Sequence, residues 1–149
     1  MTDNHALLRC KSCKTVNRVP TDKLGSQPIC GKCKTPLEFT KTPIHGTSAN
    51  FKQELDFPGT VLVEFWAKWC GACRLVVPAL DEIAYQMAGL VKVVRIDVDE
   101  EPELARSFDV QATPTFVLYR NGYKVNQIAG ALSRTQMEDW IDRSVESLG

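Results

Sequence analysis

The sequence has no apolar stretch approaching the roughly 18 residues that a bilayer span needs, which excludes a transmembrane helix. Its start, Met1-Thr2-Asp3-Asn4-His5, lacks the basic flank and apolar core of a secretory signal, so the expected compartment is the cytoplasm. No low-complexity tract and no internal repeat are evident. Net charge is also absent, with 18 Lys/Arg against 18 Asp/Glu, but the charge is unevenly placed. Residues 1–41 carry eight basic residues against three acids, and the remainder is acidic by the same margin of five. The basic residues there have no aromatic interleaving, which argues against nucleic acid as a partner. They instead offset the net negative charge of a thiolate metal site. With 149 residues, 44% apolar and 24% charged, the chain reads as one domain of ordinary size bearing a small appendage.

What is present is cysteine in a pattern. Six cysteines form three Cys-x-x-Cys pairs: Cys10/Cys13, Cys30/Cys33 and Cys70/Cys73. A short secreted chain would use them as a disulfide framework, but this chain has core enough without staples, so metal binding and catalysis explain them better. The first two pairs stand sixteen residues apart, the spacing of a four-cysteine zinc ribbon. Each pair would form a knuckle presenting two sulfurs to one ion, with Gly31 suited to the tight turn. Four thiolates around one Zn2+ leave no open position, so the site is expected to be structural. Iron also accepts tetrahedral sulfur, and local or crossed disulfides are the remaining alternative. His5 and His45 are left as surface residues. Only Val16, Val19, Leu24 and Ile29 supply large apolar groups between the pairs, so the lobe is expected to need its metal to fold.

The third pair follows the apolar run Val61-Leu62-Val63-Glu64-Phe65-Trp66 and opens a helical pattern. Unpaired N–H groups and the macrodipole at that helix start favour a thiolate on Cys70. Cys73, three residues on, shares the helical face and can close onto Cys70. Such a dithiol exchanges electrons with disulfides. Lys68 and Arg74 bracket it with positive charge. Glu64 interrupts the apolar strand, so burial should raise its pKa unless it lies at a sheet edge facing water.

Periodicity places a linker over 36–48 with a short strand near Pro43–His45, then a short helix from Ser48 to about Leu55. Strands are expected at Thr60–Trp66, Leu90–Val98, Thr115–Arg120 and Tyr123–Ile128, the last two joined by the hairpin signal Asn121-Gly122. Helices are expected from Cys70 to about Met87, over Pro102–Phe108, and after the Ser133/Gln136 capping box, with Met137, Trp140, Ile141, Val145 and Leu148 on the apolar face. The order βαβαβαββα specifies an α/β fold, a central mixed sheet flanked by helices. Residues 1–41 form the metal-binding lobe and residues 42–149 the main domain.

These motifs carry a resemblance. Phe65-Trp66-Ala67-Lys68-Trp69-Cys70-Gly71-Ala72-Cys73-Arg74 resembles the active-site segment of thioredoxins. Thr113-Pro114-Thr115 resembles the family's cis-proline loop, and Asn121-Gly122 with Gly130-Ala131 its hairpin and closing glycine. The whole chain is similar to the zinc-containing bacterial thioredoxins. The resemblance implies a thioredoxin fold preceded by a zinc ribbon, and protein-disulfide reduction with Cys70 as nucleophile and Cys73 as resolving thiol. It also implies a cis Thr113-Pro114 bond opposite the dithiol, and a substrate surface formed by Trp69, Gly71, Ala72, Thr113, Pro114 and Gly130. Glu64 would pass a proton to and from Cys73. The implied partners are disulfide-containing proteins and an NADPH-dependent thioredoxin reductase, with the protein a monomer that itself needs no bound flavin or nicotinamide. Two positions depart from the family: Ala72 stands where proline is usual, and Glu64 where aspartate is usual. A second reading, from the basic metal lobe beside a redox centre, is a redox-responsive zinc-dependent binding or chaperone module.

Overall fold

The computed structural model describes residues 4–147; the expectations placed on Met1–Asp3 and Leu148 lie outside them. At the N-terminal end, β1 (His5–Arg9) and β2 (Val16–Pro20) pair antiparallel, with His5 opposite Pro20 and Arg9 opposite Val16. A 3-10 helix at Thr21–Ser26 then leads toward the second knuckle. This ladder is not apparent from periodicity, because two five-residue strands offer only two inward positions in β1, Ala6 and Leu8. The apolar cluster of the lobe is Ala6, Leu8, Cys10, Val19, Cys30 and Leu37. Val16 and Ile29, expected to contribute, are 42% and 53% exposed. Val16 and Val19 are three positions apart on one strand, and strand alternation sends them to opposite faces.

The lobe is packed onto the rest of the chain. Phe57 and Leu90 join its cluster, and Leu24 lies against Gly89, whose φ is +86°. A Cβ at Gly89 would stand 3.2 Å from both Leu24 methyls, so that glycine permits the close approach.

The larger sheet contains β3 (Ile44–His45), β4 (Thr60–Trp66), β5 (Val91–Asp97), β6 (Thr115–Arg120) and β7 (Tyr123–Ala129), in the spatial order β3-β5-β4-β6-β7. β3, β5 and β4 are parallel, while β6 and β7 run antiparallel, so the sheet is mixed. Helices α1 (Phe51–Leu55), α2 (Gly71–Gln86), α3 (Pro102–Ser107) and α4 (Arg134–Glu146) complete the expected βαβαβαββα order. Central β4 is buried on both faces, as an apolar run broken inside the strand only by Glu64 requires. One face, with Leu62, Val93 and Leu118, packs on Val76, Leu80 and Ile83 of α2 and on Met137 and Ile141 of α4. The other, with Val63, Phe65 and Ile96, packs on Phe51 of α1 and Ala105 of α3. Asn121 and Gly122 turn β6 into β7 with φ of +53° and +83°, the doubly left-handed turn that suits strand twist. Together these constraints fix the junction between β4 and α2.

Candidate active site and metal centre

Cys70 caps α2. Its backbone is extended (φ −91°, ψ 109°), and its Sγ accepts the N–H of Cys73 at 3.1 Å. One of the four orphan donors of the helix start is thereby spent on sulfur, which favours negative charge there. Cys70 and Cys73 are joined as a disulfide with Cα atoms 5.3 Å apart. Cys70 retains 6% exposure and Cys73 only 1%, so the first sulfur is the more accessible.

The Thr113-Pro114 peptide is cis, and the Thr113 carbonyl oxygen lies 3.4 Å from Cys70 Sγ. Gly130 donates its N–H to the Pro114 carbonyl at 2.8 Å with φ of +108°, so the three expected segments meet at the dithiol. Trp69 stands 69% exposed beside it. Its indole N–H donates to Asp99 Oδ2 at 3.0 Å, and Asp97 Oδ1 in turn accepts the Asp99 N–H at 2.9 Å. Gly71 is exposed and Ala72 half-buried on the first turn of α2.

Glu64 is fully buried on β4, between Arg95 of β5 and Phe116 of β6 in register. β4 is the middle strand, so the edge-strand alternative does not apply. Oε1 accepts from Arg95 Nε at 2.7 Å, while Oε2 is buried with no partner among the described residues. Burial raises the carboxyl above the ordinary glutamate range, and the Arg95 guanidinium offsets only part of that. Arg95 also lies over the Trp66 ring, 4.6 Å from its centroid. Arg74 donates to the Lys68 carbonyl at 3.0 Å, which ties together the two cations that bracket the dithiol.

At the other end of the chain, the four sulfurs of Cys10, Cys13, Cys30 and Cys33 lie within 4.8 Å of one another. The closest pairs cross between knuckles: Cys10 to Cys33 at 3.5 Å and Cys13 to Cys30 at 3.6 Å. This donor set fits one tetrahedral ion with a closed shell. The knuckles share one geometry: the Lys14 and Lys34 N–H groups reach the Cys10 and Cys30 carbonyls at 2.9 Å, and both lysines have φ of +66°. Thr15 and Thr35 hydroxyls each stand 3.2 Å from the Cys13 and Cys33 sulfurs. These correspondences reflect a short repeat, Cys-x-x-Cys-Lys-Thr, present twice, which corrects the expectation of no internal repeat. The left-handed residue of each knuckle is the lysine, and Gly31 serves instead by donating its N–H to Asn17 Oδ1 at 2.9 Å. Hydrogen bonding lowers the Cys30 thiol to about 6, first through the Cys33 backbone N–H, and Thr35 lowers Cys33; both shifts favour the thiolates a cation requires.

Three supporting residues escaped the sequence reading. Arg95 was legible as a cation inside an apolar strand, and Asn17 as an amide between the two knuckles. Asp99 carried no signal, since acids are common after a strand.

Comparison with known proteins places these features in context. The profile described as Thioredoxin matches residues 42–143, and that described as Thioredoxin 2, N-terminal, a zinc ribbon, matches residues 9–35. Thioredoxin C-3 of Corynebacterium nephridii is 35% identical over 143 residues, covering 94% of this chain and 96% of its own. Thioredoxin 1 of Nostoc sp. is 42% identical over 98 residues, covering 65% of this chain and 92% of its own. Among solved structures, a mutant thioredoxin from Halobacterium salinarum superposes with a TM-score of 0.66 at 28% identity, over 72% of this chain and 94% of that one.

Proposed function

The chain belongs to the thioredoxin family and is a protein-disulfide reductase of the thiol–disulfide oxidoreductase type, and from that premise we propose that Cys70 attacks substrate and Cys73 resolves the intermediate. The Cys70 thiolate displaces one substrate sulfur as thiolate and forms a mixed disulfide with the other. Cys73 then attacks Cys70 Sγ, the second substrate thiolate leaves, and the Cys70–Cys73 disulfide remains. Two electrons have passed to the substrate, and a thioredoxin reductase drawing on NADPH restores the dithiol. The observation carrying these roles is the placement of Cys70 Sγ, the more accessible sulfur, at the α2 start and 3.4 Å from the Thr113 carbonyl.

Thr113 supplies backbone groups to an extended substrate segment in strand-addition fashion, with Pro114, Gly130, Trp69, Gly71 and Ala72 bordering the groove. Glu64 exchanges a proton with Cys73 during resolution, a role supported by its burial and raised pKa. Cys10, Cys13, Cys30 and Cys33 hold one structural Zn2+, with the lobe boundary near residues 41/42. The protein works as a monomer in the cytoplasm. No helix among the described residues is long and apolar enough to cross a membrane.

Insulin reduction by the full chain with NADPH and thioredoxin reductase tests the reading. Turnover is expected for the native chain and its loss for Cys70→Ser, while Cys73→Ser traps the mixed disulfide. Trapping through Cys73 instead reverses the assignment. Metal analysis of the same preparation should return one zinc per chain.

A further inference from the structure

Beside the dithiol, on the side where Arg95 covers Glu64, the surface opens into a cleft of about 270 Å³. Trp66 and Cys73 form part of its wall, and Lys68, Arg74 and Arg95 supply its charge. Among the described residues no aspartate or glutamate lines it. Glu64 lies behind Arg95 and engages that guanidinium through Nε alone.

The two arginines are held in place by contacts that leave donors over. Arg95 is held through Nε by Glu64 and stands over the Trp66 ring. Arg74 is tied through Nη2 to the Lys68 backbone carbonyl, a contact that neutralises neither charge. A concavity furnished with donors and positive charge, and with no acidic side chain among its described lining residues, is complementary to a carboxylate.

We infer that this cleft is an anion subsite that selects disulfide substrates bearing an acidic side chain close to the cysteine that joins Cys70. The inference rests on the reductase reading above and adds a substrate class to it. A carboxylate in the cleft meets the Arg74 and Lys68 charges while the substrate sulfur is bound to Cys70, so it strengthens the mixed disulfide over the separated partners. The pairs are partly exposed, so the preference is moderate and falls as salt screens it.

Three peptides, each with one internal disulfide, test this with the full chain, NADPH and thioredoxin reductase. One carries glutamate within three residues of a cysteine, one carries the same glutamate eight or more residues away, and one has glutamine in its place. Each kcat/KM is normalised to the rate at which dithiothreitol reduces that peptide. The near-glutamate peptide is expected to lead the other two by about threefold, an advantage that shrinks at high salt. The doubly substituted chain Lys68→Glu, Arg74→Glu should lose or invert the ranking. Equal rates for near and distant glutamate would reduce the effect to long-range attraction and overturn the subsite. Failure to reduce any of the three peptides would overturn the reductase reading instead, so the two failures are told apart.

Discussion

Glu64 is the residue whose environment departs furthest from what its type prefers. Its carboxyl is buried in the central strand, and one oxygen has no partner among the described residues. A carboxylate whose folded pKa is raised binds its proton more tightly in the native state than in the unfolded chain. Below the ordinary glutamate range both states are protonated and burial carries no ionic cost. As pH rises through the unfolded and then the raised folded pKa, stability is lost. Glu64→Gln should therefore stabilise the protein at pH 7–8, with the gain fading below about pH 4.5, as denaturant midpoints across pH would reveal. The same substitution should slow single-turnover resolution between pH 6 and 9; unchanged rates would remove Glu64 from proton transfer. Ala72 gives a second prediction at this scale. It occupies the second position of α2, where a backbone N–H has no helical partner, so proline fits there. Proline would restrict the reduced loop and ease its closure, lowering the redox potential by roughly 10–20 mV for a conformational effect of about 0.4–1 kcal/mol. Glutathione equilibration of Ala72→Pro against the native chain measures this, and a rise refutes it.

Among the elements, the helices around the site were the most legible. α4 begins at the Ser133 cap, with both reciprocal bonds of the box formed: Gln136 N–H to Ser133 Oγ at 3.1 Å and Ser133 N–H to Gln136 Oε1 at 2.9 Å. Ser133→Ala should cost about 0.5–2 kcal/mol, read as a lower urea midpoint with unchanged slope and unchanged turnover. This box was readable because capping is local chemistry, fixed by two residues three apart. The hairpin was readable for the same reason, since Asn121-Gly122 specifies its own left-handed turn. β1 and β2 were not, because five-residue strands gain their register only by pairing, and the sulfur knuckle between them carries no turn dipeptide. Their inward positions, Ala6, Leu8 and Val19, become core only where Leu37 and the two buried cysteines close over them.

The whole molecule is a thioredoxin body with a metal ribbon docked through Leu24, Phe57, Gly89 and Leu90. The ribbon's cluster is small and two of its members are cysteines, so much of its stability must come from metal–thiolate bonds. Chelation of the full chain should therefore melt β1 and β2 while the larger sheet persists, seen as amide exchange protection lost over residues 5–41 and kept over β4 to β6. Loss of protection throughout would mean that the two parts fold as one unit. The sequence alone determined the chemistry: three cysteine pairs at fixed spacing, a buried strand handing over to a helix, one capping box and one hairpin dipeptide, all set by neighbours within a few residues. Tertiary structure decided what distance along the chain conceals. It put Arg95 against Glu64, the Thr113 carbonyl beside Cys70, Asp99 under Trp69 and the ribbon against Gly89, because strand register and burial bring together residues that no local pattern links.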